Sequence, residues 1–270
     1  MLHHGPTHKH LVLLPCGGLG NRLCSVLSAL RYIELDIYRS MTIKWPLTNH
    51  CSINLHDVAR LNVDYELDDK IEIPYIQQYN LVKGFKYDSI YASNFWRHDS
   101  TDVADQVIWA RSTNMIKWQL PEPMCRSSVA IHCRRSDWGL NDIKVDKSIY
   151  SKHSELDRRF YKFTSNHLNG DVFMASDSNE SIRFFRSKIP NLVYQSKPEY
   201  PIDTNRCQRM NDEILLDLST LSASDMILRD SASSFPLVAH IIGRNKMITW
   251  ERPFLKDSGR GFAFEQPITI

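Results

Sequence analysis

No stretch of this 270-residue chain comes near the roughly 18 consecutive apolar residues that a membrane span requires, and runs such as Leu11–Leu14 are far shorter. A transmembrane anchor is not expected. Charge of one sign is also lacking: 33 Lys and Arg face 31 Asp and Glu, a formal net charge of +2, so no broad field exists to hold a nucleic-acid backbone. Any anion must be bound locally. The six cysteines (Cys16, Cys24, Cys51, Cys125, Cys133 and Cys207) have no CxxC spacing in a chain long enough to bury its own core, so reduced structural thiols are expected. The opening MLHHGPTHKH lacks the apolar core of a secretory signal. That points to the cytoplasm, a host cell's included, or to one domain of a larger enzyme. His3, His4, His8 and His10 read as part of a flexible tail. From Ile43 to about Trp118 there is no repeat and no low-complexity tract.

What is present is ordinary globular composition, 42% hydrophobic with 10% aromatic residues, in a length that suggests two compact units. The apolar run His10–Pro15 meets a turn at Gly17, Gly18 and Gly20, after which Leu23, Val26, Leu27 and Leu30 recur at helical spacing with Asn21 as a plausible cap. Strand, glycine loop and helix open an α/β unit. Further strand-like pieces lie at Thr42–Trp45, Ile71–Ile73 and Ser89–Ala92. The prolines within Leu120–Pro123 suggest a hinge, which places lobes at 1–120 and 121–270. In the second lobe strands are expected at Val129–Cys133, Asp171–Ala175, Leu192–Gln195, Met226–Leu228 and Lys246–Thr249. Helices are expected at Ser154–Leu168, Asn179–Lys188, Met210–Ala223 and Ser234–Gly243. That alternation implies a parallel sheet covered by helices, whose ligands bind beyond the carboxyl ends of the strands.

Those strand ends carry the chemistry. PCGGLGNRL is not a dinucleotide fingerprint, because Leu23 stands where the third glycine belongs, and it is not a P-loop, because no lysine followed by Ser or Thr comes after the glycines. It is either a backbone-lined seat for a phosphate or sugar at a helix N-terminus, or a plain tight turn. AIHCRRSDW puts His132 and Arg134 on one side of a buried strand and Cys133 and Arg135 on the other. Two guanidiniums at a strand mouth suit phosphate oxygens, and the rival reading is an internal salt bridge from Arg135 to Asp137. Asp177 in FMASD is a ligand acceptor or the cap of the helix starting near Asn179. In DMILRDSASSF, Ser231, Ser233 and Ser234 immediately precede an apolar helix, aiming hydroxyls and free amides at one spot, as a phosphate seat or a simple cap.

HCRRSDW, ASDSNES, LLDLSTLSASDMILRDSASSF and the N-terminal GGLGNRL, in that order, resemble the superfamily of GDP-fucose-dependent fucosyltransferases. The likeness is greatest to the core α1,6 enzymes and the rhizobial nodulation fucosyltransferase, with the protein O-fucosyltransferases more distant. It covers about Ser128–Gly243 and the first thirty or so residues. The resemblance implies the GT-B fold: two Rossmann-like lobes with parallel sheets and an interlobe cleft, acceptor side in 1–120 and nucleotide-sugar side in 121–270. It further implies inverting, metal-independent transfer of L-fucose from GDP-β-L-fucose to a hydroxyl of a glycan acceptor. No cofactor is then needed. Independently, no two aspartates stand two apart, so the DxD metal clamp is missing.

By the same resemblance, Arg134 and Arg135 contact the donor diphosphate and His132 precedes them. Asp217 reads the guanosine, and Ser233, Ser234 and Phe235 hold the β-phosphate. Gly18, Gly20, Asn21 and Arg22 form the N-terminal part of the donor site. Asp177 matches an acidic residue on the acceptor side, where the family often has a second carboxylate and this chain has Ser178. The family's proposed basic glutamate corresponds to Asp142, with Asp137 in reserve. Rival readings are another nucleotide sugar, a catalytically silent nucleotide- or glycan-binding module, and an NAD-binding Rossmann protein, the last disfavoured by the missing glycine and the arginines.

Overall fold

The computed structural model describes residues 9–47, 51–69, 88–92, 103–135, 148–196, 211–230 and 233–250. The chain divides into two compact units, Met1–Leu120 and Pro121–Ile270.

The first unit begins with β1 (His10–Pro15), whose unbroken apolar run is buried from Leu11 to Pro15, as a strand covered on both faces must be. It continues through α1 (Leu19–Glu34), β2 (Ser40–Lys44), α2 (Leu55–Val58), β3 (Ala59–Leu61), β4 (Tyr65–Asp68), β5 (Asp88–Ala92), α3 (Val103–Ser112) and β6 (Ile116–Trp118). The main sheet runs β4-β2-β1-β5, all parallel, with Leu13 in register with Ile43 on one side and Ile90 on the other. β3 and β6 form a separate antiparallel pair. His10 is not tail: its ring nitrogens bond the Ser40 and Thr42 hydroxyls at 2.8 and 2.9 Å. Gly18, not Asn21, is the N-cap of α1. Gly17 turns the chain at φ +80°, and a Cβ there would lie 2.7 Å from the Asn21 amide nitrogen, so only glycine fits.

The second unit runs β7 (Val129–Cys133), α4 (Ser148–Thr164), β8 (Val172–Ser176), α5 (Asn179–Arg186), β9 (Leu192–Tyr194), α6 (Asn211–Ser222), β10 (Met226–Asp230), α7 (Ser234–Gly243) and β11 (Lys246–Trp250). Its parallel sheet has the order β11-β10-β7-β8-β9. The chain thus winds outward from β7 to β9, then returns to β10 on the other side of β7. The crevice between the ends of β7 and β10 is the topological switch point, where open α/β sheets receive ligands. On one face Ile131, Cys133, Val172 and Met174 pack with Phe160 of α4 and Ile182 and Phe185 of α5. On the other face α6 packs against α7. Gly243 lets the feet of those two helices meet, because a Cβ would fall 2.0 Å from the Ser222 carbonyl oxygen. Among the described residues no helix is long and apolar enough to cross a membrane.

Candidate active site

At the carboxyl edge of the second sheet, register decides which side chains share a face. Arg229 of β10 lies opposite His132 of β7 and opposite Thr249 of β11. On this face the His132 ring lies against Phe235 at 5.9 Å between centroids. The buried Arg229 guanidinium donates to the Thr249 hydroxyl at 2.8 Å and to the Ser233 carbonyl at 3.0 Å. Ser233 is the N-cap of α7. Its hydroxyl belongs to a residue only 3% exposed, has no hydrogen-bond partner among the described residues and makes no cap bond.

The sequence removes one of the two usual donors: a capping hydroxyl accepts from the second or third helical amide, and the third residue of α7 is Pro236, which has no N–H. The corresponding helix on the opposite face shows the ordinary outcome: Ser178 caps α5 by accepting from the Ser181 amide at 3.2 Å. The seryl turn before α7 is therefore not a self-satisfied cap. Its hydroxyl, the first-turn amides and the positive end of the helix dipole make a seat for an anion, with Arg229 fixing it from beneath.

The other face holds an ion cluster. Arg135, 3% exposed, donates from Nε and Nη2 to Asp157 Oδ1 of α4 at 3.0 and 2.5 Å. Its Nη1 bonds Asp230, the last residue of β10, and the Arg134 carbonyl at 3.1 Å. Asp157 Oδ2 accepts from the Ser181 hydroxyl at 2.8 Å. Burial alone opposes charge on Arg135, but the Asp230 and Asp157 carboxylates beside it favour the charged form, so its pKa is raised and the guanidinium stays protonated. Burial pushes the neighbouring Cys133 thiol well up, which makes it an inert core group.

Several expectations are thereby corrected. Among the described residues Arg135 turns inward to Asp157 and Asp230, so it has salt-bridge partners other than the Asp137 that sequence proximity suggested. Arg134 is partly exposed. Asp177 does not cap α5; Ser178 does, and Asp177 Oδ1 instead accepts from the Arg135 amide at 2.7 Å. Asp217, 2% exposed, lies on α6; with the Gln195 amide assigned so that its nitrogen faces Asp217 Oδ1 and the Glu213 carbonyl, it donates to both at 3.0 Å. Ser234 is buried in the first turn of α7. Asp137, Asp142 and Ser231 lie outside the described residues.

In the first unit the loop after β1 closes on itself. Arg22, 0% exposed, donates to the Gly17 carbonyl at 2.9 Å and to the Pro46 carbonyl, and stacks over Trp45 at 5.4 Å. These contacts are internal to the first unit. Gly18 caps α1, Gly20 is buried in its first turn, and Asn21 packs under Gly17.

Reading the sequence did not single out Asp157, Arg229, Asp230 or Gln195. For Asp157 a signal existed: it stands three and four residues before Phe160 and Tyr161, an acid on the apolar stripe of its own helix. Asp230 and Arg229 stood within the motif and were passed over for the serines that follow.

No family model matches this sequence, and no curated protein matches it. The fold is similar to that of the fucosyltransferase NodZ from Bradyrhizobium, with a TM-score of 0.56 at 12% identity over 90% of this chain and 95% of that one. A NodZ α1,6-fucosyltransferase soaked with GDP-fucose gives 0.53 at 13% identity over 90% and 95%. A mutant of Arabidopsis thaliana FUT1 in complex with GDP gives 0.50 at 11% identity over 91% and 71%. The chain has the fold that these structures share.

Proposed function

We propose that this chain is a glycosyltransferase that moves L-fucose from GDP-β-L-fucose to a hydroxyl of a glycan acceptor, with two Rossmann-like units of the GT-B kind. The observation that carries the reading is the buried, unbonded Ser233 hydroxyl at the N-terminus of α7, beside His132 and Phe235 at the β7/β10 switch point. That seat suits the β-phosphate of a nucleotide sugar. The fold likeness supports the choice of donor, since those relatives carry GDP or GDP-fucose.

In the transfer, the acceptor oxygen bonds to the anomeric carbon as the bond from that carbon to the β-phosphate oxygen breaks, and GDP leaves with the electron pair. The new linkage has inverted configuration. The growing charge on the diphosphate is met by Arg134, the Ser233 and Ser234 turn and the α7 dipole, which stabilise the transition state more than the ground state. Arginine and amide donors serve here in place of a metal ion. Asp142, with Asp137 in reserve, takes the acceptor proton, and Asp217 reads the guanine. The first unit contributes the acceptor side.

A thermal-shift and calorimetry panel of GDP, UDP, NAD and their sugar conjugates tests the donor, because stabilisation follows affinity. GDP and GDP-fucose are expected to stabilise the chain, and selective stabilisation by UDP or NAD overturns the assignment. GDP binding without glycosyl product in any acceptor panel would mark a silent binding module. Asp142→Asn is expected to lower turnover by about 10²–10⁴ with GDP affinity kept.

A further inference from the structure

The peptide group between Arg134 and Arg135 is held at both ends. Its carbonyl accepts from Arg135 Nη1 at 3.1 Å, and its N–H donates to Asp177 Oδ1 at 2.7 Å. Because a peptide is planar, two such bonds fix the orientation of the whole group, and with it the direction in which the Arg134 backbone leaves β7. The guanidinium that makes one of these bonds is itself held by Asp157 of α4 and Asp230 of β10. Asp157 is in turn held by Ser181 of α5. One buried chain of bonds thus ties the ends of β7 and β10, the two sides of the switch point, to the helices covering that face.

Two features argue that this cluster orients rather than binds or merely stabilises. Two carboxylates face one guanidinium, which leaves no surplus positive charge for an arriving diphosphate. Buried ion pairs also add little to stability once desolvation is counted, and apolar residues of equal volume fill a core as well. An apolar filling would not align a peptide plane.

We infer that Arg135, Asp157, Asp177 and Ser181 are positioning residues that aim Arg134 at the nucleotide, so that the two adjacent arginines divide the work, one contacting the ligand and the other holding its neighbour. The inference rests on the nucleotide reading above and deepens it.

The test is GDP affinity by calorimetry for wild type, Arg134→Ala, Asp157→Asn and Ser181→Ala, and for each of the last two combined with Arg134→Ala. Asp157→Asn is expected to weaken GDP binding on the order of tenfold to a hundredfold, the scale of one misdirected charged hydrogen bond, and Ser181→Ala by less. In the Arg134→Ala background both changes are expected to have no further effect, because the group they aim is gone. Losses that persist in full in that background, or no loss in the wild-type background, overturn the inference. Should Asp157→Asn fail to fold, Ser181→Ala, which leaves every charge in place, decides by the same comparison. A wild type that does not bind GDP fails the nucleotide reading itself and takes this inference with it. A wild type that binds while coupling is absent fails only the inference.

Discussion

In the first unit the chain leaves β1 through a glycine turn whose carbonyl is taken by Arg22, which also stacks on Trp45. In the second it reaches α7 through a seryl turn whose hydroxyl is buried and bonded to nothing among the described residues. Both sheets wind outward from their first strand and then return to its other side, so both possess a switch point. The difference lies in whether the loop satisfies its own polar groups. A loop that does so is architecture. A loop that leaves a group unsatisfied, as the Ser233 turn does among the described residues, has capacity left for a ligand. Ser178 and Ser233 repeat the contrast within one sheet: same residue, same cap position, and a donor amide at the third helical residue of only one.

The strongest way to break this comparison is to remove charge from each unit in turn. Arg134→Ala is expected to reduce transfer by about 10²–10³, the loss typical of one oriented donor to a developing anion, and to weaken GDP binding. Steady-state kinetics with GDP-fucose reads it, and wild-type turnover would make Arg134 a surface residue. Arg22→Met should leave GDP affinity unchanged while costing roughly 1.5–3 kcal/mol of stability, since it strips a charged donor from two carbonyls. Chemical denaturation measures the cost, and a parallel fall in GDP affinity would erase the distinction between the units.

The finest probe is the serine pair. Ser178→Ala should cost about 1 kcal/mol of stability through loss of a cap bond and leave nucleotide affinity alone. Ser233→Ala should do the reverse: stability within about 0.5 kcal/mol of wild type, and GDP bound roughly five- to tenfold more weakly. Equal behaviour of the two variants in melting and calorimetry would show that Pro236 does not matter.

Much of the framework was legible because burial on both faces leaves an unmistakable sequence. β1 and β7 coincide with their apolar runs, and α7 with its expected span, Ser234–Gly243. β3, β4, β6, α2 and α3 were missed. The first four are only three or four residues long, too short to show a period, and α3 buries Trp109 while exposing Ile108, so no clean stripe marks it. At the site, the positions of His132, Ser233 and Phe235 followed from strand and helix ends. The inward turn of Arg135 did not. Its partners come from α4 and β10, 22 and 95 residues away, and sequence proximity favoured Asp137. Ion pairs formed by tertiary packing carry no local spacing by which to read them.

The near contact of Gly243 with the Ser222 carbonyl reaches further than its place at the foot of two helices implies. α6 carries Asp217 and α7 begins at the Ser233 turn, so the span between the groups proposed for the base and for the phosphate depends on how closely those helices lean together. A single methyl at position 243 would act as a wedge at the hinge end of a pair of tongs. The nucleotide would feel at its two extremities a change made where it never touches the protein.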